Sequence, residues 1–213
     1  MKSAKIFIFS GLILLATSGF GQLSLGIKGG FGLNQLTTDL EEVTQAAQAG
    51  YQFGAFVRLG DKVHLQPEIY FASKPGDLKY DLTSGNVRSS IHQEVVLKSV
   101  DVPLLVGAKI FNPPMMNIRL QAGPVASIVT KKTLDITMDG IDIPVDDSSL
   151  DSFKDMNWGI QFGAGVDVLM LTIDLRYELG LNNIYDQPDD APEGDYSSLK
   201  NNMFFLSLGL KLL

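Results

Sequence analysis

The chain has 213 residues, 45% hydrophobic and 19% charged, with a formal net charge of −7 and no cysteine. That length suits one domain. The absence of cysteine excludes a disulfide framework, a thiolate metal site, a cysteine nucleophile and a lipidated N-terminal cysteine.

Lys2 and Lys5 precede an apolar run from Ile6 to Ala16, and small residues follow at Ser18, Gly19 and Gly21. This is the order of a secretory signal: a basic start, an apolar core and a small-residue cut. The run is shorter than the ~20 residues a membrane-spanning helix needs. Residues 1–21 are therefore predicted to be a cleaved signal peptide, with the cut between Gly21 and Gln22. Residues 22–213 form the exported domain.

From Leu23 onward the hydrophobic period is two, the mark of strands with two unlike faces. The first strand sets Leu23, Leu25, Ile27, Phe31 and Leu33 against Ser24, Gly26, Lys28, Gly30 and Gly32. The second sets Tyr51, Phe53, Ala55, Val57 and Leu59 against Gln52, Gly54, Phe56 and Arg58. The third sets Val63, Leu65, Ile69 and Phe71 against His64, Gln66, Glu68 and Tyr70, and the fourth sets Val100 to Ile110 against Asp101, Leu105, Gly107 and Lys109. Four more follow. They run from Ile118 to Ile128, Asn157 to Val168, Leu171 to Leu181 and Phe204 to Leu212, and place Arg119, Gln121, Asp167, Asp174, Arg176, Glu178 and Lys211 on their polar rows.

The connections alternate in length. Asp61-Lys62, Asn112-Pro113-Pro114 and Leu169-Met170 are short, whereas roughly 34–49, 73–93, 129–156 and 183–201 are long, and three of these four are net acidic. An even number of strands with short turns at one end and long loops at the other is the plan of an outer-membrane barrel. The expected fold is all-β: an eight-stranded antiparallel up-and-down transmembrane β-barrel with short periplasmic turns and four long extracellular loops. A soluble exported barrel, apolar inside and binding a small apolar ligand, has the same alternation. Glycine and charges of both signs on the polar rows suit the crowded lumen of eight strands, which favours the membrane form. So do the aromatics near the ends of apolar rows, Phe31, Tyr51, Phe71, Trp158 and Phe204.

Pro67, Pro103 and Pro124 fall inside predicted strands, where each removes a ladder donor. A bulge, a locally open ladder or a slipped register would accommodate them.

Five segments, in order, carry a resemblance: Leu65-Gln66-Pro67-Glu68-Ile69-Tyr70, Val100-Asp101-Val102-Pro103-Leu104-Leu105, Ala122-Gly123-Pro124, Phe162-Gly163-Ala164-Gly165-Val166 and Arg176-Tyr177-Glu178-Leu179-Gly180-Leu181. Together they resemble the PorT-like outer-membrane β-barrel family, a group with an OmpX-sized barrel. The resemblance spans nearly the whole exported chain and includes the three prolines. It departs at Leu212-Leu213, where such barrels end in an aromatic residue. It implies an outer-membrane location, and membership of a secretion apparatus for some members.

Candidate chemistry is sparse. His64 lies on a polar row near Glu68 and reads as a hydrogen-bonded lumen residue. His92, with Glu94, Ser89 and Ser90 nearby, is the one candidate base of an outer-membrane hydrolase. Asp135, Asp139, Asp142, Asp146, Asp147, Asp151 and Asp155 in the third loop, and Asp186, Asp189, Asp190, Glu193 and Asp195 in the fourth, do not have the order of a calcium loop. They read as solvated acidic loops that disfavour nucleic acid and could meet lipopolysaccharide through divalent ions. No catalytic, cofactor-binding or metal-binding residue is assigned. Six lumen bases, Lys28, Arg58, Lys109, Arg119, Arg176 and Lys211, nearly balance five acids, Glu68, Asp101, Asp167, Asp174 and Glu178. This balance favours a salt-bridged plug over a channel. The expected partners are outer-membrane lipid, lipopolysaccharide and envelope proteins.

Overall fold

A computed structural model describes residues 23–37, 43–84, 87–138, 141–143, 154–184 and 200–213. The strands are β1 (Leu23–Thr37), β2 (Val43–Ala46), β3 (Gln48–Gly60), β4 (Val63–Ser84), β5 (Val87–Phe111), β6 (Met116–Met138), β7 (Ile141–Ile143), β8 (Met156–Val168), β9 (Leu171–Gly180) and β10 (Lys200–Lys211). Eight of them close an antiparallel ring in the order β1, β3, β4, β5, β6, β8, β9, β10. Lys211 of β10 pairs back to Gly26 of β1. The short β2 and β7 add to β4 and β6. Closure leaves the ring without an edge, as lipid demands of any sheet that crosses it.

The alternation settles which face is which. The apolar rows point outward: Phe31 is 77% exposed, Val106 57% and Leu208 58%. The polar rows point inward: Lys28, Arg58, Glu68, Arg119, Asp174 and Arg176 are all buried. A soluble barrel with an apolar lumen is excluded by this polarity. On β5 the outward apolar row runs from Ile110 to Val100. Ten steps of about 3.3 Å, tilted by about 40°, give a band of about 25 Å, the height of the apolar belt of an outer-membrane barrel.

The three short turns stand as predicted. The long connections do not all remain loops. β4, β5 and β6 have 22, 25 and 23 residues, against 13 for β3 and 10 for β9. The β4–β5 ladder continues to Ser84 opposite Val87, so most of the predicted second loop is a projecting hairpin. β5 and β6 stay paired out to Ile91 opposite Met138, so the predicted third loop begins as strand. The sequence lacks a clean period of two above the membrane because neither face of the extension meets lipid.

The three prolines sit in locally open ladders. Pairs on either side of Pro67 keep one register, Phe56 with Glu68 and Leu59 with Leu65. The same holds around Pro103, from Pro67–Leu104 to Tyr70–Asp101, and around Pro124, from Pro103–Val125 to Val106–Ala122. No register slips. The three positions lie on adjacent strands, so the missing donors are gathered into one patch of wall. Gly123 belongs to that patch: a Cβ there would sit 2.0 Å from the Leu104 carbonyl oxygen. Gly123→Ala is expected to destabilise the barrel by about 1–3 kcal/mol through overpacking. The temperature at which its compact band unfolds on a gel would fall, and an unchanged temperature would contradict the close approach.

Candidate functional site

The lumen holds the densest chemistry, and all eight staves contribute to it. Arg119 of β6, fully buried, donates to Asp167 of β8, to Asp174 of β9 and to the Thr172 hydroxyl at 2.7 Å. Asp174 also pairs with Lys28 of β1 and Arg176 of β9 and accepts from Gln121 at 3.2 Å. Arg176 meets both oxygens of Glu68, on the strand diametrically across the ring. Lys28 donates to the same Glu68 at 3.1 Å. Arg58 of β3 reaches Asp167 across the lumen at 2.6 Å while its Nε donates to Gln66, also at 2.6 Å. A second cluster lies nearer the extracellular end. There Lys74 pairs with Asp101 at 2.8 Å and with Glu178, again across the ring, at 2.7 Å.

Several of these bonds are shaped by small or flat neighbours. Gly165 leaves the volume that Arg119 and Asp174 occupy: a Cβ there would lie 2.2 Å from Asp174 Oδ1 and 2.5 Å from Arg119 Cζ. Phe56, the aromatic out of place on a polar row, is 1% exposed and lies beneath two cations. Lys28 Nζ is 4.7 Å and Arg58 Cζ 5.6 Å from its ring centre, within cation–π range.

The predicted lumen residues come together with three corrections. Lys74, which the sequence placed in a loop, is buried and paired inside. Lys109, which the sequence placed inside, sits at the periplasmic rim. There it donates to Asp61 at 2.7 Å and holds that carboxyl below the usual range. His64 is in the lumen, but neither ring nitrogen has a hydrogen-bond partner among the described residues. The ring packs instead on Gly107, its partner in register. Its predicted hydrogen bond is absent because Glu68 is engaged by Lys28 and Arg176.

A cavity of 320 Å³ opens at the periplasmic mouth, lined by Arg58, Asp61, Lys109, Asp167 and Lys211 among others. A second of 20 Å³ lies beside Lys74 and Glu178 and has room for about one water. The two share no lining residue, and the charged clusters and Phe56, Tyr70 and Leu105 fill the space between. The lumen is therefore a plug.

The backbones of Ser89, Ser90 and His92 are paired in the β4–β5 hairpin rather than in a loop, and their side chains lie outside those described. So do residues 139, 146, 147 and 151 of the acidic third loop, residues 186, 189, 190, 193 and 195 of the fourth, and the predicted signal peptide. Among the described residues no group of three or more His, Asp or Glu side chains could hold a metal.

Residues 16–186 match the outer membrane protein beta-barrel domain family. The chain belongs to that family. It is an outer-membrane β-barrel protein. Among solved structures it is similar to Ail, the attachment invasion locus protein of Yersinia pestis, at 10% identity and a TM-score of 0.42, over 89% of this chain and 98% of that one. It is also similar to Neisserial surface protein A at 7% identity and a TM-score of 0.41, over 90% and 99%. No curated protein matches.

Asp174 serves three cations, so Asp174→Ala leaves buried charge short of a partner. A loss of about 3–5 kcal/mol is expected, read as a lower urea midpoint in detergent micelles. Lys109→Ala at the exposed rim should leave the midpoint unchanged. Equal effects of the two would contradict the division between plug and rim.

Proposed function

We propose that this barrel is non-enzymatic, a rigid membrane stake whose projecting sheet docks a partner in the cell envelope. The observation that carries the reading is the continuation of β4, β5 and β6 beyond the apolar belt as paired strand. A disordered loop loses conformational entropy on binding, whereas a paired sheet is already ordered. The outward surface of that sheet also sets Glu94 of β5 directly across from Asp135 of β6, both exposed. Like charges directly opposite destabilise a sheet, so the pair favours a partner that brings positive charge. The PorT-like segments support a place in an envelope or secretion assembly.

Replacing residues 79–92 by Asn-Gly joins Leu78 to its partner Gln93 through a two-residue hairpin turn. The shortened barrel should still reach the outer membrane and migrate as a heat-modifiable band. It should lose the cross-linked complex formed by the wild type in whole cells, and Glu94→Lys with Asp135→Lys should lose it too. A complex that survives both changes would end the docking reading. The N-terminal signal reading has its own check. Mass spectrometry of the mature protein should find a first residue of Gln22, and retention of Lys2 and Lys5 would refute cleavage.

A further inference from the structure

Just outside the apolar belt, β5 and β6 set two lysines side by side. Lys98 is directly opposite Lys131, and both are exposed on the outward face. Neither forms an ion pair among the described residues. The juxtaposition is produced by an irregularity. The register shifts between Lys98 and Ser99, so that Ser99 pairs with Val129, Lys98 with Lys131, and Thr130 is left over. A period of two counted from the outward Ile128 would send Lys131 inward and put Thr130 beside Lys98. The extra residue reverses this. It turns Lys131 outward, while Lys132 pairs with Asp155 at 2.7 Å. The Thr130 hydroxyl holds the bulge by donating to the Lys98 carbonyl at 3.1 Å. A fold that inserts a residue to bring two ammonium groups together is working against their repulsion.

The surface directly below is apolar and exposed: Val102 42%, Ile128 47%, Met156 43% and Trp158 50%. Two cations above an acyl-sized apolar strip match one amphiphile, an anionic head on hydrocarbon chains. A second copy of this chain does not fit. Two copies in one membrane share its normal, so at equal height lysine would meet lysine.

We propose that Lys98 and Lys131 bind the phosphate of a phosphorylated glycolipid in the outer leaflet, with its acyl chains along Val102, Ile128 and Trp158. The site is separate from the docking surface, and its test does not depend on that reading.

The test uses the full mature barrel in detergent micelles, titrated with monophosphoryl lipid A, its dephosphorylated counterpart and inorganic phosphate. The temperature of heat modification is the readout. For the wild type the phosphorylated lipid should raise it, and the other two should not. Lys98→Gln with Lys131→Gln should weaken the response about fivefold for each lysine removed, the effect of about 1 kcal/mol per basic residue near an anionic surface. Without lipid the same variant should unfold at an equal or higher temperature, because a repulsion has gone. This opposite sign separates a ligand site from a structural role. Lys98→Arg with Lys131→Arg keeps the charge and should keep the response, which guards against a glutamine variant that fails to fold. The proposal is overturned if wild type and glutamine variant respond alike, if the dephosphorylated lipid or inorganic phosphate acts as well, or if the arginine variant loses the response.

Discussion

The ion pairs that cross the lumen tie the rest of the barrel together. Arg176 to Glu68, Arg58 to Asp167 and Lys74 to Glu178 each join strands on opposite sides of the ring. Backbone hydrogen bonds link only neighbouring strands. They fix the circumference but say little about the cross-section. In water an apolar core would set that distance, but here the apolar rows face lipid and the interior must be filled by something else. Buried charge is costly when unpaired, so the lumen is stable only when each base finds its acid. That requirement fixes the strands at the separation these side chains can span.

The same constraint explains why the inner rows mix glycine with arginine. An eight-stranded lumen has room for side chains and little more. Where Arg119 and Asp174 meet, Gly165 gives up its volume. Between and beside the charges, Phe56, Tyr70, Leu105, Met203 and Phe205 occupy the remaining space, all nearly inaccessible to solvent. Beside them lie a cavity at the periplasmic mouth and a water-sized one near Lys74. Among the described residues the lumen is filled by paired charges and large side chains. The barrel's accessible chemistry lies at the extracellular rim and beyond.

At that rim the two levels of the outward face differ in sign. The Lys98–Lys131 pair lies next to the apolar belt, and the Glu94–Asp135 pair lies further out, with Val96 and Thr133 between them. Each like-charged pair is unfavourable for the isolated sheet. Both are exposed, so solvent softens the repulsion and leaves the charges free to meet other molecules. Lipid can reach the lower pair, and another protein the upper one.

The sequence by itself determined the strands that cross the membrane, their alternation, the three short turns and the outer-membrane barrel class. A period of two, imposed by lipid on one side and a narrow lumen on the other, is written directly into residues such as Ile27, Lys28 and Phe31. It also marked nearly every lumen charge. Only the tertiary structure decided which charges pair. Glu68 and Arg176 are 108 residues apart and meet because the ring closes, a fact that no local pattern carries. Closure likewise drew Lys74 inward, left Lys109 at the rim and deprived His64 of its expected partner. The bulge at Thr130 and the projecting hairpin were hidden for a related reason: one inverts the period of two and the other lies beyond the lipid that creates it.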